Sequence, residues 1–268
     1  MRWHWSLVFL TTLLSELAGC SLSSGPASPS LAAPSPGIYI EQVGTLLNQG
    51  KPIEQENYRQ LLTDCQASGQ AFSPLSSEQE AQLGMYRVQT WETSTAFTQR
   101  QEEWHLSVPG LCQFGVLHQS RLLIKTSDQK LYTIDEQTGH GTEKSLGADQ
   151  PIYKVVPDDY ALTSSAKDDG WQVSSNVPAF LGHACLWWKS PSQDQVCVWS
   201  EGQGFGYSPT FEGSMGGPAW VRFRGPIALW AKPANGNGWL MQATRFVIGQ
   251  PIPESVFQVP AGTQIKSN

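Results

Sequence analysis

The segment "CLWWKSPSQDQVCVW", Cys185 to Trp199, decides how the chain is read. Its two ends, Cys185–Lys189 and Gln195–Trp199, are short runs of aromatic and aliphatic residues. Between them lies "SPSQDQ", which is turn chemistry. The segment therefore predicts a β-hairpin. On a regular strand the adjacent Trp187 and Trp188 point to opposite faces, so one belongs to the core and the other to a second covered or exposed face. If the hairpin turns near Gln193, Cys185 and Cys197 meet across the ladder, within the spacing a disulfide needs.

The same period of two continues on both sides. From Met85, "MYRVQTW" alternates Tyr86, Val88 and Thr90 against polar neighbours, and "WHLSV" alternates Trp104, Leu106 and Val108. Further strands are expected at Arg121–Thr126, Lys130–Ile134, Ile152–Val156, Trp220–Arg224, Ile227–Ala231 and Trp239–Ile248. The connections "KTSDQK", "DEQTGHG", "RGP" and "PANGNG" separate them as turns. Short strands joined by short turns imply an antiparallel sheet that meanders and curls. With no helical stretches between them, a doubly wound parallel sheet is excluded.

Ahead of the strands, residues 38–84 read as helical. Tyr39, Val43, Leu46 and Leu47 fall at helical spacing with Gly50 as a stop, and Tyr58, Leu61, Leu62 and Cys65 repeat the pattern after Pro52. A third, shorter helix is expected at the pair Ser77 and Glu80, spaced as a capping box. The expected class is thus α+β, mainly β: short N-terminal helices over a curved antiparallel sheet spanning 85–268.

The chain opens "MRWHWSLVFLTTLLSELAGC", with Arg2 near the start, an apolar run over Leu7–Leu14 and small residues before Cys20. That is the pattern of a signal peptide over residues 1–19, its apolar run too short to cross a bilayer. The ending "LAGC" resembles the lipobox of bacterial lipoproteins, which implies that Cys20 becomes the acylated first residue of the mature chain. More than one acyl chain makes such anchoring stable. Residues 20–37 then continue as "SLSSGPASPSLAAPSPG", uncharged and rich in Ser, Ala and Pro. They read as a tether able to hold the folded part up to about 50 Å from the bilayer. In a host with two membranes, Ser21 in place of the aspartate linked to inner-membrane retention implies the periplasmic face of the outer membrane.

A formal net charge of -6 and no basic stripe argue against a nucleic-acid partner and against docking on anionic lipid. Apart from Cys20 there are four cysteines, Cys65, Cys112, Cys185 and Cys197, an even count that favours disulfides in an exported domain. Cys185 with Cys197 leaves Cys65 with Cys112, tying the helical part to the sheet. The alternative is a metal site at His183, Cys185 and Cys197, but no CxxC, HxxxH or second nearby histidine completes it. No metal and no cofactor are expected.

Catalytic motifs fail on inspection. "GSMGGP", Gly213–Pro218, places Met215 where a serine-protease loop needs its nucleophile, and a thioether supplies none. "GQGFG" lacks the full dinucleotide-binding spacing.

The C-terminal "SVFQVPAG", with Phe257, Val259, Pro260 and Gly262, resembles the terminal signature of the LolA-like lipoprotein-carrier superfamily and related exported families. "FLGHACLWW" followed by "QVCVWSEGQGFG" is similar to their paired-strand pattern. The resemblance spans roughly residues 85–265. It implies an incomplete barrel closed by helices, with an apolar concavity in which acyl chains bind at about 0.8 kcal/mol per methylene. Trp187, Trp188, Trp199 and Trp220 are the residues expected to line it. The function so implied is a non-enzymatic, membrane-anchored envelope protein binding lipid or lipoprotein acyl chains. The alternative is an envelope-assembly lipoprotein with a filled core and a protein partner.

Overall fold

The computed structural model describes residues 36–146, 170–174, 179–205 and 226–267. Cys20, the signal segment, the tether up to residue 35, the expected strands Ile152–Val156 and Trp220–Arg224, and Trp220 itself lie outside the described residues.

Among the described residues thirteen strands join in one sheet. They are β1 (Ile38–Asn48), β2 (Lys51–Pro52), β3 (Met85–Glu92), β4 (Phe97–Gly110), β5 (Gln113–Lys125), β6 (Lys130–Asp135) and β7 (His140–Ser145), then β8 (Gln172–Ser174), β9 (Cys185–Lys189), β10 (Gln195–Trp199), β11 (Ala228–Lys232), β12 (Gly238–Ile248) and β13 (Gln264–Ser267). The spatial order is β13-β7-β6-β5-β4-β3-β1-β12-β11-β10-β9-β8, with β2 paired on β1. The sheet is curved, does not close, and is antiparallel throughout except for β13, which joins β7 in parallel. Two meanders, β3 to β7 and β8 to β12, are joined by β1, which lies between β3 and β12.

That position corrects the expectation of helix from residue 38. Ile38, Ile40, Gln42 and Gly44 alternate as buried positions along β1, and Tyr39, Glu41, Val43 and Thr45 form its other face. The helical spacing of Tyr39, Val43, Leu46 and Leu47 is incidental to this period of two. What disguises the alternation is Gln42, a polar residue at a fully buried site. Its Nε2 donates to the Ala228 carbonyl at 2.7 Å, which satisfies the amide where water does not reach. Gly50, read as a helix stop, instead closes the β1–β2 hairpin, where Gln49 and Gly50 both take positive φ, as a type I′ turn requires. With β1 in mid-sheet, there is no boundary between a helical segment 38–84 and a β domain 85–268.

Two helices remain. α1 (Ile53–Ala67) starts after Pro52 and buries Tyr58 and Cys65. α2 (Ser77–Gln82) carries its capping box one residue earlier than expected, between Ser76 and Gln79. The Tyr58 hydroxyl accepts from the Leu75 amide at 2.9 Å, so Tyr58, Leu75 and Leu83 form a small core with Leu106, Phe114 and Val116 of the β4–β5 hairpin. The turn "DEQTGHG" is partly strand, since β7 begins at His140. β13, also not expected, follows a chain segment that crosses from β12 to the far edge at β7. On the way, the Thr98 hydroxyl donates to the Val256 carbonyl at 2.9 Å, and Val259 and Ile265 pack on Leu122, Ile124 and Ile134. Val259 and Pro260 of "SVFQVPAG" are therefore part of a strap across the sheet.

Candidate functional site

The tryptophans nominated as a ligand lining do not form one surface. Trp188 is 2% exposed and packs with Trp171, Val196, Val198, Ala228, Ala231 and Met241. Trp199 is also 2% exposed but belongs to a different cluster, with Ile38, Ile40, Cys197, Leu229 and Phe246. Trp187, half-buried, lies against that second cluster, its ring centroid 5.2 Å from Trp230. Trp187 and Trp188 thus point to opposite sides, as their adjacency requires, and both sides of the β9–β10 hairpin are packed.

Both cysteine pairs lie at disulfide distance. Cα separations are 5.7 Å for Cys65 and Cys112 and 5.3 Å for Cys185 and Cys197. The His183 ring packs on Phe246, centroids 4.8 Å apart. Among the described residues no cluster of three or more His, Cys, Asp or Glu is arranged to hold a metal ion.

The surface rich in chemistry lies elsewhere, on the face of the sheet that bears Tyr39 and Glu41. Strand register arranges its side chains in rows. The first row is Val247, Tyr39, Trp91, Thr98, Ile124 and Tyr132, running across β12, β1, β3, β4, β5 and β6. The next is Arg245, Glu41, Gln89, Arg100 and Leu122. A third carries Arg87, Glu102 and Ser120, and a fourth Met85, Trp104 and His118. The strap covers part of the first row through Val256 and Val259. At the other end, Leu106 and Val116 are covered by the α1 core. Between these covers lies a polar floor about 19 Å long across five strands.

Hydrogen bonds knit this floor. Glu41 accepts from Tyr39 at 3.0 Å, Gln89 at 3.0 Å and Thr244 at 3.1 Å. Arg87 Nε donates to Glu102 at 2.7 Å, and His118 Nε2 stands 3.2 Å from the other oxygen of Glu102. The Arg87 guanidinium also lies 5.6 Å from the ring centre of Trp104, which is stacked on His118. Arg100 makes a two-pronged contact with Glu136, both bonds 2.9 Å, and Ser120 donates to the same carboxylate. Burial alone would raise the pKa of Glu102, but the Arg87 hydrogen bond and charge, with His118, outweigh it and hold the carboxyl below its ordinary value. Burial likewise pushes Glu41 upward, and the bonds from Gln89, Tyr39 and Thr244 reverse the sign. Tyr39 moves up, through burial and then the Glu41 carboxylate beside it. Two carboxylates held ionised suit recognition of polar groups and oppose a role as general acid.

Two open clefts lie along this face. One, of about 310 Å³, is lined by Tyr39, Trp91, Arg245 and Val247 of the sheet and by Gln250–Pro253 at the start of the strap. The other, of about 350 Å³, is lined by Arg100, Glu102, His118, Ser120, Glu136 and Gln137. None of Trp187, Trp188 and Trp199 lines either cleft. The sequence showed Arg87 only as a polar member of an alternating strand, and Arg100 and Glu102 fell outside the strands read from it. Their convergence depends on register, which single-strand periodicity does not carry.

No protein-family model matches the chain, and no curated protein matches it. Among solved structures it is similar to an uncharacterized conserved protein from Thermus thermophilus, at 7% identity and a TM-score of 0.37, with 89% of this chain and 92% of that chain covered. No function passes from that likeness to this protein.

Proposed function

We propose that this is a lipid-anchored envelope protein that works by non-catalytic recognition of a protein partner. The anchor is Cys20, the spacer is the tether that follows it, and the address is the periplasmic face of the outer membrane where the host has two membranes. The observation that carries the reading is the placement of Trp188 and Trp199. Both are spent on packed cores on opposite sides of one hairpin, which supports a filled-core interaction module over an acyl-chain carrier. The apolar side chains offered to a partner are those exposed on the β4–β5 hairpin, Val108, Leu117 and above all Leu111, which is 82% exposed. Trp187, half-buried, sustains acyl-chain binding as the second reading.

The test titrates a fluorescent fatty acid into the purified full chain and, separately, photo-crosslinks from position 111 in envelope preparations. With the photo-crosslinker moved to the exposed Pro109 for this comparison, the proposal expects no saturable fatty-acid binding and a discrete crosslinked product, present with Leu111 and lost on Leu111→Asp. Saturable binding weakened by Trp187→Ala, with no discrete crosslink, would establish the acyl-chain reading instead.

A further inference from the structure

The cleft at the start of the strap has a composition unlike the rest of the polar floor. Tyr39 and Trp91 are cross-strand partners with ring centroids 5.2 Å apart, and they form its aromatic base. Pro251, Ile252 and Pro253 form a wall of rings and branched carbon opposite. At its mouth stands Arg245. The guanidinium lies 5.3 Å from the Tyr39 ring centre. Among the described residues it makes no ion pair, in contrast to Arg87 and Arg100, which each hold a carboxylate. Its natural partner on the neighbouring strand, Glu41, already takes bonds from Tyr39, Gln89 and Thr244. A cation with its planar donor edge uncommitted, beside an aromatic base, is therefore part of the cleft.

We propose that this cleft is a binding site for an acidic sugar, a hexose ring bearing a carboxylate. Three features select that class. The Arg245 guanidinium has the fork geometry that matches a carboxylate with two parallel hydrogen bonds. The Trp91 ring offers a flat apolar face to the C–H face of a sugar ring, beside Tyr39, whose own ring carries the Arg245 guanidinium. The cleft is open on its outer side, so a bound ligand keeps one face in water. A sugar ring tolerates this because its other face is hydroxylated, whereas a wholly apolar acid would leave half its surface unburied. The volume, about 310 Å³, sits at the lower bound of small-molecule sites, the size for one or two rings and not for a long chain. The site is independent of the anchored-partner reading and stands whether or not Leu111 meets a protein.

The experiment is calorimetric titration of the full chain with D-glucuronate, D-glucose and acetate in parallel. Glucuronate should bind saturably, glucose at least fivefold more weakly, and acetate at equal concentration should not displace glucuronate. Arg245→Gln, at an exposed position, should weaken glucuronate about tenfold and leave the melting temperature unchanged. Trp91→Ala should weaken glucuronate and glucose alike, with Trp91→Tyr as the variant to use if the alanine form fails to fold. Lys189→Gln, an exposed cation on β9, should change nothing. Acetate binding as tightly as glucuronate would reduce the site to a simple anion contact and overturn the sugar assignment. Failure of a folded protein to bind glucuronate, or binding indifferent to Arg245→Gln, would overturn the proposal altogether.

Discussion

Cys185 and Cys197 meet on a diagonal of the β9–β10 ladder: Cys185 is opposite Trp199 and Cys197 opposite Trp187, yet the two Cα atoms are 5.3 Å apart. Strand twist shortens one diagonal of an antiparallel pair and lengthens the other, and these cysteines occupy the short one. The separation falls within the range that disulfides span.

The first prediction is therefore that both cysteine pairs are oxidised in the native protein. Non-reducing peptide mapping should join Cys185 to Cys197 and Cys65 to Cys112, with neither pair alkylatable before reduction. The chain-entropy model values a loop of this length at about 3 kcal/mol. Cys197→Ala should cost more than that figure, because Cys197 is fully buried in the core with Ile38 and Trp199.

Trp188 and Trp187 should separate cleanly by mutation. Trp188→Ala removes a large side chain from a closed core, a change that costs about 3–5 kcal/mol. Trp187→Ala should cost distinctly less, since Trp187 is only half-buried. Among the described residues the Trp188 indole N–H has no hydrogen-bond partner, so Trp188→Phe should be much milder than Trp188→Ala. Denaturant midpoints of the three variants check the order; equal losses for Trp187→Ala and Trp188→Ala would contradict the two-sided packing.

Much of this architecture was legible because its signals are local. β9 and β10 coincide with the strands read from "CLWWK" and "QVCVW", and α1 follows Pro52 as its periodicity indicated. β1 was misread because Gln42 stands at a buried position and is held there by a distant group, Ala228, 186 residues away, a partner that no window of sequence contains. The polar floor was invisible for a related reason. Arg87 and Glu102 are fifteen residues apart, and whether they touch or face opposite sides depends on the β3–β4 register, which a slip of one residue would invert.

The proposed anchor at Cys20 is tested by fractionation. Replacing Cys20 by serine should move the protein from the membrane to the soluble envelope fraction and remove the acyl mass from its mature N-terminus. The disulfides should be unchanged, because Cys65, Cys112, Cys185 and Cys197 pair with one another and not with Cys20. Continued membrane association of Cys20→Ser would require another means of attachment.

The last prediction concerns acid stability and follows from the polar floor. Glu102 and Glu41 have folded-state pKa values below their ordinary range: burial opposes this, and the bonds from Arg87 to the first and from Gln89, Tyr39 and Thr244 to the second prevail. A carboxyl whose folded pKa is depressed contributes stability that is fully present above its unfolded value, about 4.3 for glutamate, and lost as pH falls through the folded value. Stability should thus be nearly level from about pH 7 to about pH 5 and decline below about pH 4.3. Glu56 and Asp135 are also shifted downward, the first by Lys51 and Arg59 and the second by the Thr138 amide, but both are exposed to solvent and their shares are screened. Glu102 is the more enclosed group and should dominate. Glu102→Gln removes the charge while keeping the shape. It should therefore be less stable than the parent at about pH 7, and its stability should fall less steeply between about pH 4.3 and about pH 3. Urea midpoints measured at several pH values for the parent, Glu102→Gln and Arg87→Met decide the matter. Arg87→Met should reproduce the shallower acid slope, since it removes the partner that lowers the Glu102 pKa. Curves that stay parallel to the parent across the acid range would show that the Arg87–Glu102 pair contributes nothing to it.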